Sequence, residues 1–164
     1  MAIELQTRST SEESILKLEK QGLKVKKTFN ADVPELPKDI TSIDDESLMD
    51  LYSRYVAYLE FINLQVWCAQ TDETEVAKTL QLEKAAQKLT RAAKGKTAGA
   101  IDAEIETDPT YQGMYINHRE LYNYLKLLQL LSDNISEDIK LVSRELTRRT
   151  STNNFVSRSR NFNA

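Results

Sequence analysis

The residues with the clearest capacity for chemistry form one run, Lys84-Ala-Ala-Gln-Lys88-Leu-Thr-Arg91-Ala-Ala-Lys94-Gly-Lys96, with five positive charges and no negative one. The chain as a whole is acidic, at net −3, and Ile43–Glu83 just before the run holds nine acids against Arg54 and Lys78. A reversal of sign this local suits capture of a polyanion, because Lys and Arg release counterions from phosphates. On a helix Lys84, Lys88, Arg91 and Lys94 recur at steps of four, three and three along one side, with Lys96 beyond. Ala85, Ala86, Ala92 and Ala93 between them leave room for a phosphate backbone. A merely solvated face is the alternative, but such a face mixes signs, as residues 72–83 do.

A second positive segment lies at Lys140, Arg144, Arg148 and Arg149, with Arg158 and Arg160 beyond and only Glu145 opposing. In a simple antiparallel hairpin, position 144 falls beside about position 58, so the two patches would lie at opposite ends. Only an assembly of copies would join them into one track for single-stranded nucleic acid. No helix-turn-helix or zinc-finger pattern points to sequence reading.

Little else offers chemistry. Cys68 is the single cysteine, so no internal disulfide or Cys-based zinc site is expected, and a reducing cytoplasm fits. His118, the single histidine, lies on an apolar stripe and reads as a partly buried structural residue rather than a ligand. Asp102, Glu104, Glu106 and Asp108 alternate, but without the Gly-centred spacing of a calcium loop they read as solvated helix ends. Phosphate-loop and nucleophile-elbow patterns are missing. The expectation is a non-enzyme with no cofactor, no metal and no small-molecule substrate. Met1–Glu4 lacks the basic start of a signal peptide, and Tyr55–Ala69 is too short and polar to span a membrane.

The elements that must position the basic residues are helices. Ser11–Gln21 reads as a short helix capped by Ser11 and ended by Gly22, and Pro34 and Pro37 mark a linker, so residues 1–41 read as an arm. Ser42, with Asp45 three residues on, opens a long helix expected to run to about Ala93. Its apolar stripe is Leu48, Tyr52, Tyr55, Leu59, Ile62, Val66, Ala69, Val76 and Leu80, broken at Glu73 and shifted to the register of Leu82, Ala86 and Leu89. Ala100–Thr107 reads as a short helix or turn. Asp108-Pro109 starts a second long helix whose stripe is Met114, His118, Leu121, Leu125, Leu128, Ser132, Ile135, Ile139, Val142 and Leu146. The expected fold is all-α, a long antiparallel helical hairpin over 42–150, with a flexible polar tail at 151–164. Helices this long need packing partners to persist, and further copies of the chain would supply them.

This layout resembles the UvsY-type recombination mediators of phages. A first helix ends in the Lys/Arg-rich segment Glu83–Arg91, an acidic connection follows, and a long amphipathic helix through Leu121–Leu131 closes with Ser143-Arg144-Glu-Leu-Thr-Arg148-Arg149. The resemblance covers about residues 42–150. It implies single-stranded DNA binding by Lys88 and Arg91, and contact with a recombinase and a single-strand-binding protein in the host cytoplasm. It also implies homo-oligomerisation through the C-terminal helix, for which Leu121, Leu125, Leu128, Ile135, Ile139, Val142 and Leu146 are the expected residues. Two other classes stay open: a phage virion, neck or scaffold component built on the hairpin, and a helical adaptor for one protein partner.

Overall fold

The structure, a computed structural model, describes the backbone of residues 9–29 and 32–162 and the side chains among them up to residue 152. It is all-α: α1 (Thr10–Lys20), α2 (Asp45–Ala92), α3 (Ala98–Glu106) and α4 (Pro109–Phe162), with no strand among the described residues. The long helices α2 and α4 pair antiparallel. The chain divides into two compact units, one joining α1 to residues 65–129, the other joining 26–64 to 130–162.

Local chemistry sets the helix ends. Ser9, not Ser11, caps α1, its hydroxyl accepting from the Glu12 N–H at 3.3 Å. Gly22, at φ 81°, supplies the left-handed turn that closes α1, and Gly95, at φ 74°, does so after α2. Ser42 does not cap α2, because its hydroxyl donates to the Asp39 carbonyl at 2.8 Å. Asp44 takes the role, accepting from both the N–H and the hydroxyl of Ser47 at 2.8 Å. A carboxylate is the stronger acceptor at a positive helix end, and these bonds hold its pKa below the usual range. Asp108 caps α4 in the same way, taking the N–H groups of Thr110 (3.0 Å) and Tyr111 (3.1 Å) beside Pro109. The end of α4 differs from the sequence expectation, since the helix continues through the polar segment to Phe162. Residues 151–164 contain no Pro or Gly to stop it, and the hydroxyls of Thr150, Ser151 and Thr152 bond back to the carbonyls four residues earlier.

In the unit of 26–64 and 130–162, the core is Leu48, Leu51, Tyr55 and Ile62 of α2 with Ile135 and Val142 of α4. Ser132 donates to the Asn63 side-chain carbonyl at 2.8 Å where the two helices meet. The linker packs here too: Pro34 is buried, and Phe29 lies 4.9 Å from the Tyr58 ring and 6.2 Å from Phe61. Burial, reinforced by the nearby Asp138 carboxylate, pushes the Tyr55 hydroxyl up to about 12.

In the other unit, Ala69, Leu125 and Leu128 form a cluster backed by Val66, and Leu80, Ile101 and Ile105 are buried as well. Helix α1 is fastened to α2 by Ser11, whose N–H and hydroxyl both donate to Asp72, at 3.0 and 2.8 Å. The stripe on α2 does not shift register after Leu80 as expected, because Leu82 and Leu89 are 70% and 75% exposed and Ala86 is exposed too. The helix keeps its phase instead, and the covered positions after Leu80 are Glu83, Lys84, Gln87 and Arg91. The inward face turns polar while the leucines turn outward.

Truncations separate the two registers. Leu48→Ala and Ile105→Ala are expected to cost roughly 2–5 kcal/mol each in urea unfolding, whereas Leu82→Ala and Leu89→Ala stay within about 0.5 kcal/mol. Equal losses at both pairs would contradict this core.

Candidate functional site

Because α2 keeps its phase, the basic run begins on the covered face and meets the acids of the following segment. Lys88 pairs with Asp102 at 2.7 Å. Arg91 reaches Asp108 at 3.1 Å and Glu104 at 3.5 Å, and it also donates to the Gln87 side chain at 3.0 Å. Lys96 pairs with Glu104. The Arg91 side chain is only 18% exposed. Each acid responds as expected of a paired carboxylate. The Lys88 ammonium holds Asp102 below its ordinary pKa, Lys96 does so for Glu104, and the Tyr111 N–H leads for Asp108. The alternating acids are therefore not idle helix ends. They clasp α3 against the end of α2, over buried Ile101 and Ile105.

Lys84 is the inner exception. Its ammonium sits 5.9 Å from the centre of the Tyr111 ring and forms no ion pair among the described residues. Lys84, Tyr111, Tyr115 and Ile116 share an open cleft of about 610 Å³ with Glu106 and Gln112. Along α4 the pattern continues at helical steps of four, four, three and four: Tyr111, Tyr115, Arg119, Tyr122, Lys126. Lys126 lies 5.4 Å from the Tyr122 ring centre, and Tyr115, Arg119 and Tyr122 line a shallower cleft of about 310 Å³. Tyr115 and Tyr122 are about half exposed. The face thus alternates rings and cations. Arg119 makes no ion pair among the described residues.

This stripe is missing from the sequence reading, which followed only apolar positions along α4. Its signal was present in the recurrence of tyrosine at steps of four and seven, with Arg119 and Lys126 on the same face. His118, on the neighbouring apolar stripe, is partly buried and lies 2.9 Å from Glu73, the residue that interrupts the stripe of α2. The break in one stripe and the polar position in the other face each other. Cys68 is half-buried, and burial raises its thiol pKa, leaving it a poor nucleophile.

In the other unit the second basic segment is divided. Arg149 is structural: its guanidinium donates to the carbonyls of Ile40 (3.1 Å), Thr41 (3.2 Å) and Ile43 (2.8 Å), to Asp45 (2.8 Å) and to Glu145 (2.7 Å). Arg148 is held by Glu145 at 2.7 Å but remains 60% exposed. Arg144 is exposed and unpaired among the described residues, as Lys94 is in the first unit. Arg158 and Arg160 lie outside the described side chains.

The positions expected for self-association are used within the chain. Leu125, Leu128, Ile135 and Val142 are buried, and Leu121, Ile139 and Leu146 are half-buried. The apolar side chains that α4 leaves uncovered include others: Ile116, Tyr124, Leu127, Leu130, Leu131 and Leu141, besides Tyr115 and Tyr122.

No protein-family model matches the chain, and comparisons with curated proteins and with solved structures find no match. Among the described residues no group of three His, Cys, Asp or Glu side chains is placed to hold a metal ion, and no helix is long and apolar enough to cross a membrane.

Two outcomes test this geometry. Replacing Lys88 and Arg91 by Ala is expected to loosen α3, read as faster amide exchange at Ile101 and Ile105; unchanged exchange would mean that the pairs do not hold it. The bonds from Arg148 and Arg149 lower the Glu145 pKa from 4.5 to about 2. A depressed carboxylate contributes stability that is complete above the unfolded value and lost as pH falls through the folded one. The Glu145 contribution should therefore persist above pH 4.5 and fade toward about pH 2. Carboxyl NMR should place its titration midpoint near that lower value, and a midpoint near 4.5 would contradict the pairing.

Proposed function

We propose that this chain is a non-enzymatic accessory protein that binds single-stranded DNA on a homo-oligomeric helical scaffold, as a recombination mediator that helps load a recombinase. The observation that carries this reading is the ring–cation face Tyr111–Tyr115–Arg119–Tyr122–Lys126 with Lys84 beside it. Single strands expose base faces that a duplex keeps stacked, and a row of half-exposed rings offers them sequence-tolerant stacking of about 1–3 kcal/mol per base. Interleaved cations serve the phosphates between those bases. The basic run supplies Lys84 to this surface and Lys94 as a further exposed cation, while Lys88, Arg91 and Lys96 hold α3 in place. Arg144 and Arg148 are further exposed cations available to an assembled track. The uncovered leucines of α4 support self-association, and the recombinase and single-strand-binding protein are the partners that the reading implies.

A second reading is favoured by a specific observation: residues 83–108 hold five cations and five acids, so the end that looked basic is neutral. On that reading the chain is an assembly element, either a phage virion, scaffold or neck component or a helical adaptor, and the leucine face is its main surface.

Fluorescence anisotropy with labelled oligo-dT separates the two. Binding is expected to weaken steeply between 50 and 200 mM salt, a range over which several phosphate contacts cost orders of magnitude. Tyr115→Ala with Tyr122→Ala should weaken it roughly tenfold or more, while the Phe variants retain it. If oligo-dT does not bind at low salt, or the double Ala variant binds as tightly as the native chain, the DNA reading fails. Stable assembly in light scattering would then favour the structural one.

A further inference from the structure

In the unit of 26–64 and 130–162, the extended segment ending at Ile40 lies beside the last covered turns of α4. Between them is a cleft of about 300 Å³. Pro37, Ile40 and Leu141 supply apolar lining, and Lys38, Arg144 and Arg148 supply charge. The cleft is preformed, because Arg149 ties the Ile40 and Thr41 carbonyls to α4. Glu145, the one acid among its described lining residues, accepts from Nε and Nη2 of Arg148 and from Nε of Arg149. Among the described residues Lys38 and Arg144 form no ion pair, and the hydrogen bonds of Arg148 use its Nε and Nη2. Leu141 remains 48% exposed at the cleft.

We infer that this cleft is a docking site for an acidic peptide segment of a partner protein, with an apolar residue as its anchor. Charge complementarity selects the acid: three cations surround a cleft whose one carboxylate is already neutralised. The apolar lining selects a peptide over a nucleic-acid backbone, which would leave Ile40 and Leu141 without a counterpart. A second copy of this chain, which keeps exposed acids such as Glu46, Asp50 and Asp133, is the competing occupant, and oligomer mass separates it from a partner's peptide. The site uses no residue of the ring–cation face that carries the DNA reading, and it shares only Arg144 and Arg148 with the track that reading invokes.

The test uses the full chain and a short fluorescein-labelled peptide in which Asp alternates with Leu and Phe. Anisotropy should rise on mixing and fall with salt, and a Lys-for-Asp peptide should not bind. Lys38→Glu with Arg144→Glu, and separately Leu141→Asp, should each weaken binding by about tenfold or more, with the helical circular dichroism unchanged. The Tyr115→Ala, Tyr122→Ala variant should bind the peptide as the native chain does. Absence of peptide binding, or equal binding by the cleft variants, overturns the proposal. So does displacement of the peptide by oligo-dT with Leu141→Asp inert, which would make the cleft a phosphate site. A fall in oligomer mass caused by the cleft variants without peptide would assign it to a second copy and overturn it as well.

Discussion

The rotational phase of α2 is the constraint on which the rest of the molecule depends. In each unit α2 meets α4 along positions that recur at steps of four and three, and this phase persists where the residues cease to be apolar. A helix cannot turn a few side chains toward its partner without rotating the whole segment, so the chain resolves polar positions by matching them. Glu73 meets His118, and the positions that follow Leu80 bring Lys84 to Tyr111 and Arg91 to Asp108. Leu82 and Leu89 are excluded from the seam by the same rotation, although they are the more hydrophobic side chains.

These polar matches differ in energetic weight. Lys88–Asp102 and Lys96–Glu104 are substantially exposed, and solvent screening leaves pairs of that kind with little effect on stability. Their effect is positional: they hold a nine-residue helix, too short to persist alone, with its own Ile101 and Ile105 buried. Arg149 is of another kind. Its side chain is 14% exposed, and it satisfies three backbone carbonyls just before α2 as well as two carboxylates. Its donors are engaged by the backbone just before α2 and by carboxylates, which makes it a fastening for the linker rather than a spare charge for a ligand.

Much of this fold was legible in the residues. Asp108-Pro109 marked the start of α4, Gly22 marked the end of α1, and the stripe Leu121–Leu146 named the inward positions of α4, because apolar periodicity and turn stereochemistry are local. The register after Leu80 was not legible from hydrophobicity, since the seam there is polar and its partners are supplied by α3 and the start of α4. The basic run misled for the same reason. Its neutralising acids lie six to twelve positions beyond it in sequence, at Asp102, Glu104 and Asp108, and only the reversal of chain direction brings them back. Helix continuation past Thr150 was hidden by composition, because Ser, Thr and Asn weaken a helix without forbidding it.

The position of the rings follows from the same geometry. Tyr111, Tyr115 and Tyr122 lie on a face adjacent to the buried stripe of α4, so the seam fixes their direction without consuming their surfaces. A tyrosine has few rotatable bonds, and a ring projecting from a packed helix loses little freedom when a planar group stacks on it. Lys84 and Lys126 already lie over ring faces, where a cation is attracted to the π-system. Scaffold and candidate surface are therefore one device: the phase that makes the basic run structural is what places rings and residual cations together on the open side of α4.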